Sequence, residues 1–161
     1  MVFVTAGTQL PFDRLVEAVD KIAAGYPDVK FVVQALNSQY NVKNIQVVDF
    51  LSSGDFSKHV DNARLIISHA GMGTIISALV KKKPIIVMPR LHKFNEHRND
   101  HQLGTAVQMD ADGYVYVAYS EDELIALFNN MWPNNLTIRK VITSEAPDEF
   151  IQDLDNYIKL T

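Results

Sequence analysis

Three runs decide the architecture: Leu65-Ile66-Ile67-Ser68-His69-Ala70-Gly71-Met72-Gly73-Thr74, then Pro84-Ile85-Ile86-Val87-Met88, then Glu96-His97-Arg98-Asn99-Asp100-His101-Gln102. Leu65–Ser68 and Pro84–Met88 are short, unbroken apolar runs rich in β-branched residues, the pattern of parallel strands buried on both faces. Between them, His69-Ala70-Gly71-Met72-Gly73-Thr74 opens a helix that runs to about Val80. A strand, a helix and a second strand in that order predict a βαβ unit whose two strands are parallel neighbours, so the loops after them leave the same sheet edge. Ligands bind at that edge in open α/β sheets. A glycine-rich turn feeding a helix N-terminus places backbone N–H groups and the positive end of a dipole where an anion can sit.

The same alternation extends outward. Val2 to Thr5 reads as a strand. Phe12, Leu15, Val16, Val19 and Ile22 recur at helical spacing over Pro11 to Ala24, with Pro11 suited to a first turn. Lys30 to Gln34 and Ile45 to Phe50 are further strands, and Phe56, Val60 and Ala63 mark a short helix before Leu65. Leu103, Ala106 and Val107 give an apolar face to a helix after the polar cluster. Tyr114 to Ala118 is a sixth strand, followed by a helix bearing Leu124, Ile125 and Phe128, with Ser120 and Glu123 spaced as a capping box. Asn37–Asn44 and Trp132–Pro147 are the loosest segments. Phe150, Ile151, Leu154, Tyr157 and Ile158 form an apolar stripe on a last helix over Pro147–Leu160, which packs on its own sheet or reaches toward a partner. The prediction is an α/β fold, a Rossmann-like parallel sheet with helices on both faces, in a single domain over 1–161.

Composition bounds the function. The 161 residues suit one domain, and 47% hydrophobic with 21% charged residues is ordinary for a globular protein. No apolar run approaches the roughly 20 residues of a membrane-spanning helix, and Met1-Val2-Phe3-Val4 lacks the basic flank of a secretory signal. With no cysteine there are no disulfides, metal thiolates or thiol nucleophile, which fits a cytoplasmic setting. A net charge of −4 argues against general nucleic-acid binding.

Phe3-Val4-Thr5-Ala6-Gly7-Thr8-Gln9, Ile67-Ser68-His69-Ala70-Gly71-Met72-Gly73-Thr74 and Asp100-His101-Gln102 occur in an order that resembles the C-terminal, nucleotide-binding half of family 28 glycosyltransferases, which are GT-B enzymes. The chain looks most like the small subunits of two-component members, eukaryotic dolichol-linked and bacterial exopolysaccharide; Met88-Pro89-Arg90 through Gln102 is most like the exopolysaccharide branch. One position departs. Many members carry an acidic residue that bonds the UDP ribose where this chain has Ser77, and Glu96 is a candidate replacement.

Each candidate residue has a structural alternative. Gly71 and Gly73 suit phosphate or simply a tight turn. Thr74 suits a phosphate oxygen or a helix cap. Met72 fits a uracil pocket or core, and Gly7-Thr8-Gln9 a donor contact or a plain βα turn. Arg90 offers bidentate charge to a diphosphate or is an ordinary arginine. His97 and His101 lie i, i+4, a metal-pair spacing. The pair lacks a third ligand, so no metal is expected, and His101 and Gln102 with His97 or Glu96 nearby are assigned to donor sugar or phosphate. Lys81-Lys82-Lys83 suits a helix C-terminus or an anionic membrane surface.

Transfer from a UDP-sugar needs stabilisation of the departing diphosphate and a base for the acceptor hydroxyl. The helix N-termini at Gly73-Thr74 and Gly7-Thr8, with His69 and Arg90, supply the first. The resemblance implies an inverting reaction without a cofactor, with the base and acceptor site in the other half of the GT-B fold, and Glu96 or His97 as the alternative base. It further implies a membrane-anchored partner subunit, a lipid-linked sugar acceptor, a cytoplasmic location at the membrane face, and a possible homodimer when the chain is isolated. A dehydrogenase would need Gly-x-Gly-x-x-Gly after the first strand, which Gly7-Thr8-Gln9-Leu10 lacks. A complete UDP-sugar 2-epimerase would need a second domain. A non-catalytic accessory subunit needs no nucleotide site at all, which is the feature that separates it from a donor-binding one.

Overall fold

Six strands and five α-helices alternate along residues 1–143, the part of the chain that the computed structural model describes. They are β1 (Val2–Thr5), α1 (Asp13–Ala24), β2 (Phe31–Gln34), β3 (Val47–Val48), α2 (Ser53–Asn62), β4 (Leu65–His69), α3 (Met72–Val80), β5 (Ile85–Met88), α4 (His101–Ala111), β6 (Tyr116–Val117) and α5 (Glu121–Met131), with a 3-10 turn at His92–Phe94. The predicted terminal helix over Pro147–Leu160 lies outside the described residues. No helix among those described is long and apolar enough to cross a membrane.

The strands form one sheet in the order β3-β2-β1-β4-β5-β6, and every neighbouring pair is parallel. Register places Val4 beside Ile67 and Ile67 beside Ile86, and Phe3 beside Ile66 and Ile66 beside Ile85. Because side chains alternate across a pleat, these two rows face opposite ways. Val2, Val4, Ile67 and Ile86 pack with Leu15 and Val19 of α1 and Leu124 and Phe128 of α5. Phe3, Ile66, Ile85 and Val87 pack with Val60 of α2, Ile75 and Leu79 of α3, and Ala106 of α4. Two apolar layers on one sheet account for the unbroken hydrophobic runs of β1, β4 and β5.

The elements predicted within residues 1–143 are all present, several of them trimmed. Helix α1 starts at Asp13, with Phe12 as its N-cap. The run Ile45–Phe50 contributes only Val47–Val48 to the sheet: Ile45 is buried ahead of the ladder, while Phe50 turns outward and is 71% exposed. Likewise Tyr114–Ala118 contributes Tyr116–Val117, since the amides of Tyr114 and Val115 bond back to Met109 of α4.

Candidate functional site

The order places β1 and β4 side by side at the centre, and their following segments diverge: β1 leads toward β2 at one side, β4 toward β5 at the other. A crevice opens beyond the carboxyl ends of strands at such a switch point. A cleft of about 1030 Å³ lies there, lined by Thr5 to Leu10 after β1, Gln34 at the end of β2, Phe50, Leu51, Ser53 and Phe56 around the start of α2, His69, Gly71, Gly73 and Thr74 at the β4–α3 turn, and Arg90, His97, Arg98, His101 and Gln102 beyond β5.

Helix α3 enters this cleft without a cap. Gly71 is its N-cap residue with no side-chain hydrogen bond, its first turn has no acidic residue, and the first helical bond runs from Ile75 N–H to Gly71 O at 3.2 Å. The amides of Met72, Gly73 and Thr74 therefore precede the intrahelical ladder. The three glycines here differ in what surrounds them. A Cβ on Gly73 would meet nothing within 4 Å, whereas one on Gly71 would come 2.2 Å from His69 Nε2, and one on Gly7, whose φ is +81°, 2.9 Å from the same ring. Gly7 and Gly71 thus make room for the His69 imidazole, and Gly73 leaves backbone open to the cleft. His69 Nδ1 lies 3.4 Å from Thr5 O. Burial, and then the nearby Arg90 charge, push its pKa down to about 4, so the ring is neutral at pH 7.

Arg90 is not a diphosphate-binding side chain in this geometry. Only 1% exposed, its guanidinium donates to four backbone carbonyls: Ala6 (2.6 Å), Leu10 (2.5 Å), Pro11 (3.1 Å) and Glu96 (2.8 Å). Burial brings its pKa down to about 10, which leaves it charged at neutral pH. Glu96 likewise departs from its expected role. Its carboxylate accepts from Arg14 at 2.7 and 2.9 Å and from Leu91 N–H at 2.9 Å, and it lines a smaller recess of about 390 Å³ with Arg14, Phe94 and Glu121. With those acceptors engaged and the side chain outside the main cleft, it fits neither a free base nor a ribose ligand. The sequence shows both charges but not that each has an internal partner.

The polar cluster divides in two. His97 and His101 face each other edge to face, ring centroids 4.5 Å apart, and both line the cleft. His97 Nδ1 is buried without a hydrogen-bond partner, and burial, then the charges of His101 and Arg90, lower its pKa. Gln102, 5% exposed, accepts from Arg90 N–H through Oε1 at 3.2 Å. Asp100 instead accepts from His92 N–H at 2.7 Å and is not part of the cleft wall. Met72, 45% exposed, fills neither core nor cleft. Ser77 donates back to Gly73 O at 2.8 Å and also stands outside the lining.

Sequence reasoning missed the wall made by Gln34, Phe50, Leu51, Ser53, Phe56 and Arg98. Gln34 is held by Thr5, whose Oγ1 donates to its Oε1 at 2.6 Å. A glutamine closing an apolar strand and an aromatic just past another were the available signals. Among the described residues no cluster of three or more metal-ligating side chains is present.

The model of the glycosyltransferase family 28 C-terminal domain matches residues 1–156. A UDP-N-acetylglucosamine transferase subunit ALG13 from Cryptococcus neoformans is 32% identical over 117 residues, 70% of this chain and 56% of that protein. The chain therefore spans about half the length of that relative and 28% of the corresponding Candida albicans subunit. The solution structure of an ALG13 superposes with a TM-score of 0.58 at 22% identity, over 95% of this chain and 93% of that one. A UDP-GlcNAc 2-epimerase from Neisseria meningitidis gives 0.62 at 16% identity, over 96% of this chain and 43% of that one. At such identities the structural likeness concerns the fold alone.

Proposed function

Since the chain belongs to the glycosyltransferase family 28 C-terminal domain family, we propose that it is the donor-binding, catalytic subunit of a two-component glycosyltransferase that transfers a sugar from a UDP-sugar to a lipid-linked acceptor. The observation that carries this reading is the uncapped N-terminus of α3 at the β1/β4 switch point, with Gly73 open to a cleft that His69, His97 and His101 share. Its amides and dipole suit the diphosphate that gains charge as the bond from the anomeric carbon to the diphosphate oxygen breaks. The acceptor hydroxyl attacks the opposite face of that carbon, inverting it, and loses its proton to a base. That base belongs to the acceptor-binding partner, a membrane-anchored subunit; the neutral His97 ring, which lines the cleft, is this chain's own candidate. The reading needs no metal.

Calorimetric titration of the purified chain with UDP in the absence of metal, with ADP and NAD as controls, tests it. UDP-N-acetylglucosamine is the first sugar nucleotide to try, because it is named in the relatives. Selective UDP binding that disappears in a folded His101→Ala variant supports the reading. No UDP binding, either alone or with the partner, rejects it. A second reading, a non-catalytic accessory subunit, is favoured by Ser77, whose hydroxyl is engaged by Gly73 O where many family members place an acidic ribose ligand. Transfer by the reconstituted pair that survives loss of UDP binding to this chain would select it.

A further inference from the structure

Two of the polar walls of the cleft, Gly7–Gln9 and His97–Gln102, follow β1 and β5, and these strands are not neighbours. Strand β4 lies between them, so no ladder bond sets the Gly7–Gln9 turn against the His97–Gln102 segment. Arg90 spans that gap. Three of its carbonyl partners, on Ala6, Leu10 and Pro11, bracket Gly7-Thr8-Gln9. The fourth, on Glu96, directly precedes His97, and the backbone N–H of Arg90 donates to Gln102 Oε1 at 3.2 Å. Arg14 makes a second, outer tie by gripping Glu96 and donating to Pro89 O.

We propose that Arg90 is a positioning residue for the donor site: one buried guanidinium, held by four carbonyls, fixes the β1 turn and the β5–α4 segment at the separation a nucleoside diphosphate bridges. This rests on the donor-site reading above. A planar fork with five N–H donors can satisfy carbonyls on two segments at once, whereas an ammonium offers three donors from one point. Among the described residues no carboxylate pairs with the guanidinium directly, since that of Glu96 serves Arg14. The charge therefore reaches into the cleft, where it contributes to the lowered pKa of both His69 and His97.

Arg90→Lys keeps the charge and removes the fork. Amide exchange of the ligand-free full-length chain is then followed at Gly7, bonded to Thr5 Oγ1, and at Leu91 and Glu96, which bond within the β5–α4 segment. The expected result is a tenfold or greater acceleration at all three together, unchanged exchange at Ile67 and Ile86 in the ladder, and UDP affinity weakened at least tenfold. Leu124→Val, which perturbs the core on α5, should lower thermal stability without either change, separating positioning from simple destabilisation. Unchanged loop exchange with unchanged UDP affinity overturns the proposal. If Arg90→Lys does not fold, wild-type exchange in low denaturant decides: one shared opening free energy for Gly7 and Glu96 supports the coupling, and two distinct ones overturn it. A wild-type chain that binds no UDP defeats the donor-site reading alone, because the exchange coupling is measured without ligand.

Discussion

Helix α5 begins at Ser120, whose hydroxyl accepts from Glu123 N–H at 3.2 Å, and carries Glu121, Asp122 and Glu123 in its first turn. Helix α3 begins at Gly71, with no side-chain cap and no acidic residue in its first turn. Both follow parallel strands of one sheet. In α5 the chain's own oxygens satisfy the amides and complement the dipole, which makes the helix self-sufficient. In α3 that complement is left to whatever enters the cleft, and because the N-cap residue is glycine the missing cap costs only about 0.3 kcal/mol. Helix α2 sharpens the contrast, because Ser52 accepts from Asp55 N–H at 3.1 Å and so caps a helix whose first residues also touch the cleft. Proximity to the cleft does not by itself leave a helix uncapped. Helices α1 and α4 also begin without a side-chain cap, so the missing cap of α3 marks the site only together with its place at the switch point and the open backbone at Gly73.

The harshest way to break this comparison is to give α3 an acidic first turn like that of α5. Gly73→Asp should fold, since its Cβ meets nothing within 4 Å, and its stability should hold or rise by up to about 1 kcal/mol through the dipole. The added carboxylate, about 5 Å from a bound diphosphate at an effective dielectric near 20, costs roughly 3 kcal/mol, more than 100-fold in UDP affinity. Calorimetry and thermal denaturation should thus move in opposite directions; losing both together would mark mere misfolding. The His69 ring beside the same helix start gives the next effect. Its folded pKa of about 4 lies below the ordinary 6.5, so the unfolded chain binds more protons between those values. Its stabilising contribution is therefore complete above about pH 6.5 and is lost as pH falls toward 4, by up to about 3 kcal/mol. His97, also lowered, adds a loss of the same sign. Denaturant midpoints from pH 7.5 to 4 should fall less steeply in His69→Gln than in the wild type; parallel slopes would contradict the burial of a neutral ring.

The sequence pattern carried the sheet because strands buried on both faces need unbroken apolar runs, and Val2–Thr5, Leu65–Ser68 and Pro84–Met88 have them. It overextended Ile45–Phe50 and Tyr114–Ala118 at the sheet edges, the second because the amides of Tyr114 and Val115 are taken by Met109 at the end of α4. In the candidate site, local motifs located the β1 and β4 turns and the His97–Gln102 cluster at one edge. The partners were illegible. Nothing local indicates that Arg90 ends among the carbonyls of residues 79 to 84 positions away, or that Glu96 meets Arg14 across 82 positions. The glycines show the same limit from the other side: Gly7, Gly71 and Gly73 look equivalent in sequence, and only the position of His69 tells a space-making glycine from a ligand-facing one.

That distinction yields the two smaller effects. Gly71→Ala puts a Cβ 2.2 Å from His69 Nε2 and should cost about 2 kcal/mol as the ring is displaced. In a His69→Ala background the same change should cost far less, because the clashing atom is gone, and chemical denaturation of the four proteins gives the coupling directly. A cost that persists without His69 would assign Gly71 to backbone conformation instead. Ser120→Ala completes the comparison from the α5 side. Removing that cap should lower stability by about 1 kcal/mol, with UDP affinity unchanged, since α5 has no residue on the cleft. The opposite phenotypes of Gly73→Asp and Ser120→Ala, one losing ligand without losing stability and the other losing stability without losing ligand, are what two helix entrances with different complements require. If Ser120→Ala weakened UDP as strongly as it weakened the fold, the cleft would depend on global stability, and the open start of α3 would no longer mark the binding site.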